Sequence, residues 1–192
     1  RRFKASIETF MTWDSKNSFP AEANLFVGSS SIRFWPTAIA FSGKPVINRG
    51  FGGAELSDVI YFYESVIKKY APSKIFLYAG DNDIGNGKTA GQVFEDYKEL
   101  IGLLRADLPD SQLIFISIKP SRQRWEKWSL MVETNQLVRA YAASHDNLGY
   151  ADLATPLLDT KGEPKDVFLV DGLHLNAEGY QLWQHALAPF LD

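Results

Sequence analysis

Apolar residues fall along this chain in two alternating patterns. Short unbroken runs at residues 25–27, 45–47, 74–79, 112–118 and 148–151 read as buried parallel strands. Between them, apolar positions recur every three or four residues. Leu56, Val59, Ile60, Tyr63, Val66, Ile67 and Tyr70 mark one helix face, and Val93, Tyr97, Leu100, Ile101, Leu104 and Leu108 mark a second. The second stripe follows Thr89-Ala-Gly-Gln92, a capping-box signature. A third helix is expected over about 129–144. The last starts at the N-cap Asn176, with Leu175 and Tyr180 at hydrophobic-staple positions and Trp183, Leu187 and Phe190 on its buried face. A further helix near 5–14 precedes the first strand.

Strand and helix alternate, which predicts an α/β fold: a three-layer α/β/α sandwich around about five parallel strands. No repeat, linker or low-complexity stretch interrupts the 192 residues. A single domain over 1–192 is expected, with about 1–20 as a helical extension. In such sheets ligand chemistry collects at the carboxyl ends of the strands. That rule narrows the search to the loops 28–35, 48–55, 80–87, 119–128 and 152–174.

Composition then removes several options. The net charge is −3 with acids and bases interspersed, so no basic footprint for nucleic acid is present. No apolar run approaches the roughly 18 residues that span a bilayer, so no integral membrane segment is expected. Cysteine is absent, which leaves oxygen or nitrogen as the only side-chain nucleophiles and rules out disulfides and thiolate chemistry. The chain opens at Arg1 rather than Met, and a segment upstream is expected.

Each loop carries one chemically useful feature. Gly28-Ser29-Ser30-Ser31 follows the first strand and opens a helix, where backbone N–H groups can cap a side chain, hold an anion or stabilise an oxyanion. Gly50, Gly52 and Gly53 follow the second strand and permit close backbone approach to a ligand. Asn82 stands just past the third strand, where its amide can donate to a developing negative charge. Asp171 and His174 lie three residues apart before the final helix. In a compact turn that spacing can supply a carboxylate beside an imidazole, which would fix its tautomer and stabilise the imidazolium, and an ordinary solvent-exposed turn is the alternative. His145, near a helix end, and His185, inside the last helix, lack such a setting.

Taken in order, "GSSS", "NRGFGG", "GDND" and "DGLH" resemble the blocks of the SGNH hydrolases, the group that contains the GDSL-type lipases and esterases. The likeness runs from Asn24 to about Trp183. "LFVGSSSIRFW" is similar to the branch of platelet-activating-factor acetylhydrolase-like esterases. The resemblance implies a flavodoxin-like SGNH fold with Ser30 as nucleophile, His174 as general base and then acid, and Asp171 orienting it. It also implies an oxyanion hole made of Ser30, Gly53 and Asn82. The departure is Ser29, which stands where the family has Asp. Ser29 and Ser31 are expected to satisfy backbone groups of the turn and the helix start.

The implied activity is hydrolysis of a carboxylic ester through an acyl-enzyme, on a small-molecule substrate and with no cofactor. Asp81, Asp83 and Asp171 match no known metal-binding loop spacing, so no metal is expected. Ser29, Arg33, Trp35, Arg122 and Trp125 are the expected substrate contacts, and residues 155–170 are expected to form a lid-like excursion. Without a long exposed apolar stripe, an acetyl or other short acyl ester of a carbohydrate or small polar alcohol is favoured. Longer acyl chains, as in lysophospholipase, lipase or thioesterase activity, are the alternative within the same chemistry. A flavodoxin-like domain holding a phosphate or nucleotide on Gly28–Ser31 is the alternative from another class. Related bacterial esterases often follow an export signal, which favours a periplasmic or secreted location over a cytoplasmic one.

Overall fold

Alternation along the strands decides which core each residue enters. In the computed structural model, which describes residues 2–191, the strands are β1 (Asn24–Gly28), β2 (Val46–Gly50), β3 (Lys74–Tyr78), β4 (Gln112–Ile116) and β5 (Leu148–Ala151). All pair in parallel, in the order β2-β1-β3-β4-β5. Leu25, Val27, Ile75, Leu77, Leu113 and Phe115 point into one hydrophobic cluster. Phe26, Phe76, Tyr78, Ile114 and Ile116 point into the other. This is the period of two that a pleated sheet buried on both faces requires.

The helices in chain order are α1 (Lys4–Lys16), α2 (Ser30–Arg33), α3 (Thr37–Ala40), α4 (Leu56–Tyr61), α5 (Tyr63–Val66), α6 (Asp81–Gly85), α7 (Ala90–Asp107), α8 (Trp128–Ala142) and α9 (Ala177–Leu187). Buried residues of α1, α4, α5, α7 and α8 enter the first cluster, and those of α2 and α9 enter the second. The capping box at Thr89 forms in both directions, and the Asn176 side chain caps α9 through Gly179 N–H.

The single helix expected across the stripe from Leu56 to Tyr70 is instead three pieces: α4, α5 and a 3-10 turn at Lys68–Tyr70. The stretch holds the consecutive aromatics Tyr61, Phe62 and Tyr63 and the β-branched pair Val66 and Ile67, all modest helix formers. Phe62 leaves helical geometry and turns its ring edge-on to Phe51, at 6.1 Å between centroids. The apolar stripe survives because each piece re-aims its own residues at the sheet.

The chain runs from β1 to β2 on one side and then crosses to β3 on the other, so the topological switch lies between β1 and β3. In open α/β sheets ligands bind at such a point. There Gly28 lies so close to β3 that an added Cβ would sit 1.8 Å from the Tyr78 carbonyl oxygen. Its φ of 137° is open only to glycine in practice. Ser29 N–H donates to that same carbonyl at 3.0 Å, pinning the loop that follows.

Candidate active site

Ser30 is the first residue of α2, with the extended Ser29 before it as N-cap. This entry geometry leaves the Ser30 side chain half-buried at the carboxyl edge of the sheet. The loop ahead of α9 reaches it from 144 residues away, and His174 Nε2 lies 3.0 Å from Ser30 Oγ. Behind the imidazole, Nδ1 lies 2.6 Å from Asp171 Oδ2. Asp171 Oδ1 accepts the N–H groups of Leu173 and His174, at 2.9 and 3.0 Å, which fixes the carboxylate against its own loop. The imidazole bond, then the Leu173 N–H, hold the Asp171 carboxyl down at about 2. A carboxylate on Nδ1 leaves the proton there and makes Nε2 the acceptor of the serine hydroxyl. The Phe34 ring stands edge-on to His174 at 5.2 Å.

Two further segments meet beside this line. A Cβ on Gly52 would come within 3.9 Å of Ser30 Cβ, and Gly53 turns the chain with φ 80°. Asn82 opens α6, is 8% exposed, and donates from Nδ2 to Ala54 O at 3.0 Å, next to Gly53. Among the described residues neither the Ser30 N–H nor the Gly53 N–H has a protein acceptor. Asn82 Oδ1 is taken by Arg124 Nη2 at 3.0 Å.

Below them lies a buried charge cluster. The Asp81 carboxylate accepts Asn82 N–H at 2.9 Å and faces Arg124 Nη1 at 3.5 Å and Lys119 Nζ at 3.6 Å. Lys119 is 1% exposed, and burial pushes its ammonium pKa down.

The expected substrate contacts divide. Ser29 is fully buried and its Oγ has no hydrogen-bond partner, so it neither reaches a ligand nor satisfies the turn as expected. Its backbone is held against β3, and its side chain points inward. Trp35 is a core residue, 2% exposed, with its ring 5.4–5.9 Å from those of Phe26, Phe41, Tyr180 and Trp183. Arg33 is exposed on α2, with Nη1 3.3 Å from the place a Gly52 Cβ would take. Arg122 is paired with Asp166 at 2.8 Å, its stem against Gly172 in the histidine loop. Trp125 stacks on Trp128 at 6.0 Å and, with Arg122, Glu163 and Pro164, lines a cavity of about 310 Å³. Residues 155–170 are tethered by the bridge between Leu158 and Pro164 and by buried Leu157, Val167 and Phe168. Sequence reasoning missed Phe34 and the contact of Arg124 with Asn82. Phe34 could have been found four residues past Ser30 on the same helical turn, whereas Arg124 carried no signal beyond its place in a strand-end loop.

Comparison with known proteins gives a consistent set of likenesses. Residues 18–182 match the model of the GDSL-like Lipase/Acylhydrolase family. A multidomain esterase of Ruminococcus flavefaciens is 27% identical over 83% of this chain, and the match spans only 21% of that longer protein. Platelet-activating factor acetylhydrolase IB subunit alpha1 of Homo sapiens is 25% identical over 87% of this chain and 73% of its own length. A Streptococcus pneumonia structure, described provisionally as a platelet activating factor, superposes with a TM-score of 0.88 at 23% identity. It covers 98% of this chain and 92% of that one, a likeness of fold.

Proposed function

The chain belongs to the GDSL-like lipase/acylhydrolase family, and from that premise we propose that it hydrolyses a carboxylic ester in two steps through Ser30. The observation that carries this is the line from Ser30 Oγ to His174 Nε2 at 3.0 Å and from Nδ1 to Asp171 at 2.6 Å. Ser30 Oγ attacks the ester carbonyl as His174 Nε2 takes its proton. Asp171 stabilises the imidazolium, and the Ser30 N–H, Gly53 N–H and Asn82 amide donate to the oxyanion. Collapse expels the alcohol, which leaves with the proton from Nε2. Water then repeats the sequence on the acyl-enzyme, and the acid and free Ser30 are released.

The acyl group is short, an acetyl, and the alcohol is a carbohydrate or another small polar molecule. Two features support this. The exposed rim is made of Arg33, Phe34, Arg122 and Trp125, guanidinium groups and aromatic faces suited to a polar ring. The human relative is named as an acetylhydrolase. One observation favours a longer chain instead. A cavity of about 650 Å³ beside Arg33 has Phe10, Pro36 and Ile39 among its walls.

A chain-length series of p-nitrophenyl esters on the parent and Ser30→Ala proteins decides both matters. Turnover is expected to be highest at C2 and to fall to background in Ser30→Ala, with loss of fluorophosphonate labelling. Faster turnover of C8–C12 than C2 overturns the acyl preference, and undiminished turnover in Ser30→Ala overturns the mechanism.

A further inference from the structure

An amide side chain in an oxyanion site must present its nitrogen and not its oxygen, and the two ends are nearly the same in shape. In Asn82 the ends face different partners. Nδ2 meets the Ala54 carbonyl at 3.0 Å, an acceptor only, and Oδ1 meets Arg124 Nη2 at 3.0 Å, a donor only. A flipped amide would set oxygen against oxygen and N–H against N–H. The Ala54 contact uses one Nδ2 hydrogen and leaves the second free.

Arg124 is itself held from several sides. Its N–H donates to Ser121 Oγ at 3.2 Å, and its Nη1 faces the buried Asp81 carboxylate at 3.5 Å. The guanidinium packs on Gly85, where an added Cβ would lie 2.9 Å from Cζ and Nε. Three residues on, Lys127 Nζ donates to the Ile84 and Gly85 carbonyls at 3.2 and 2.7 Å, so the loop after β4 grips α6 at both ends.

We propose that Arg124 is a positioning residue, holding Asn82 in the one amide orientation that leaves an Nδ2–H free for the oxyanion. The proposal rests on the esterase reading above. Its positive charge also draws electron density toward Oδ1, which makes the free N–H a better donor to developing negative charge. Arg is required because its planar fork can meet an amide oxygen and a carboxylate together, which the point charge of Lys cannot.

The test is steady-state hydrolysis of p-nitrophenyl acetate by Arg124→Ala, Arg124→Lys and Gly85→Ala, each in the parent and in an Asn82→Ala background. Gly85→Ala displaces the guanidinium while leaving Arg124, Asp81 and Asn82 in place, so it remains informative should Arg124→Ala fold poorly. All three are expected to lower kcat by roughly 10–100-fold with KM nearly unchanged. In the Asn82→Ala background none is expected to lower it further, because the group they position is gone. Full activity in Gly85→Ala and Arg124→Ala overturns the proposal. So does an equal loss in the two backgrounds, and so does rescue by Arg124→Lys, which would assign Arg124 only the neutralising of Asp81. Parent-like activity of Asn82→Ala alone also overturns it, whereas failure of the esterase reading shows separately, as p-nitrophenyl acetate turnover undiminished in Ser30→Ala.

Discussion

A carboxylate that accepts several hydrogen bonds holds its charge far into acid. Asp171 takes the imidazole Nδ1–H and two backbone N–H groups, the imidazole bond leading, and its carboxyl is lowered from 3.8 to about 2. The sign follows directly. A depressed folded-state value gives a stabilisation that is complete above 3.8 and is lost as pH falls toward about 2. The gap in melting temperature between the parent and Asp171→Asn should therefore stay constant from neutral pH down to about 4 and close below it. Turnover by Asp171→Asn should drop by roughly 10⁴-fold, since an amide supports the wrong imidazole tautomer. A gap that already closes between pH 7 and 5 would contradict this assignment. Ser30, Asp171 and His174 were legible because the roles proposed for them demand particular residue types at strand ends. Ser29 and Trp35 were misread because being close to Ser30 in sequence does not say where a side chain points. The Arg124–Asn82 bond joins residues 42 positions apart and left no local trace.

Elements around the site are joined by one buried acid. Both Asp83 oxygens accept Leu56 N–H at 3.1 Å, and Oδ1 takes Lys88 Nζ at 2.8 Å. Lys88 also reaches Asp96 at 2.8 Å and Glu55 at 3.2 Å, so the N-cap of α4, the middle of α6 and the second turn of α7 converge on one ammonium. Burial pushes the Asp83 carboxyl up to about 6 against the pull of Lys88. Below that value the acid carries its own proton and needs the cation less. Lys88→Ala should cost about 3–5 kcal/mol at pH 8, where a bare charge is left buried, and clearly less at pH 5. Urea unfolding at the two pH values measures the difference, and an equal cost at both would contradict it. The long helices were legible in the sequence because α7, α8 and α9 repeat over several turns. Four- or five-residue helices such as α2, α3 and α6 are too short to show a period, and the stripe through Leu56 and Tyr70 hid two breaks.

At the scale of the molecule, the layered sheet followed from strand–helix alternation, but the weight of the first helix did not. The family match begins at residue 18, beyond α1 (Lys4–Lys16). Yet Phe3 and Ile7 are 6% and 5% exposed in the main core. Asp14 also binds Arg49 at 2.5 Å and the Lys69 ammonium and Tyr70 hydroxyl at 2.6 Å each. Removing residues 1–16 should lower stability by about 3–6 kcal/mol, from burial of the two apolar side chains alone. A truncated protein that melts with the parent would show α1 to be an ornament. The distance in sequence between Ser30 and His174 also bears on how the protein is made. Ribosomes deliver a chain amino end first, so the hydroxyl at 30 emerges 144 residues ahead of the imidazole at 174. At about 5–20 residues per second that interval lasts roughly 7–29 s. Throughout it the nascent chain carries an ordinary alcohol with no imidazole beside it, and the proposed ester chemistry can begin only once residue 174 has been made and the fold has closed around it.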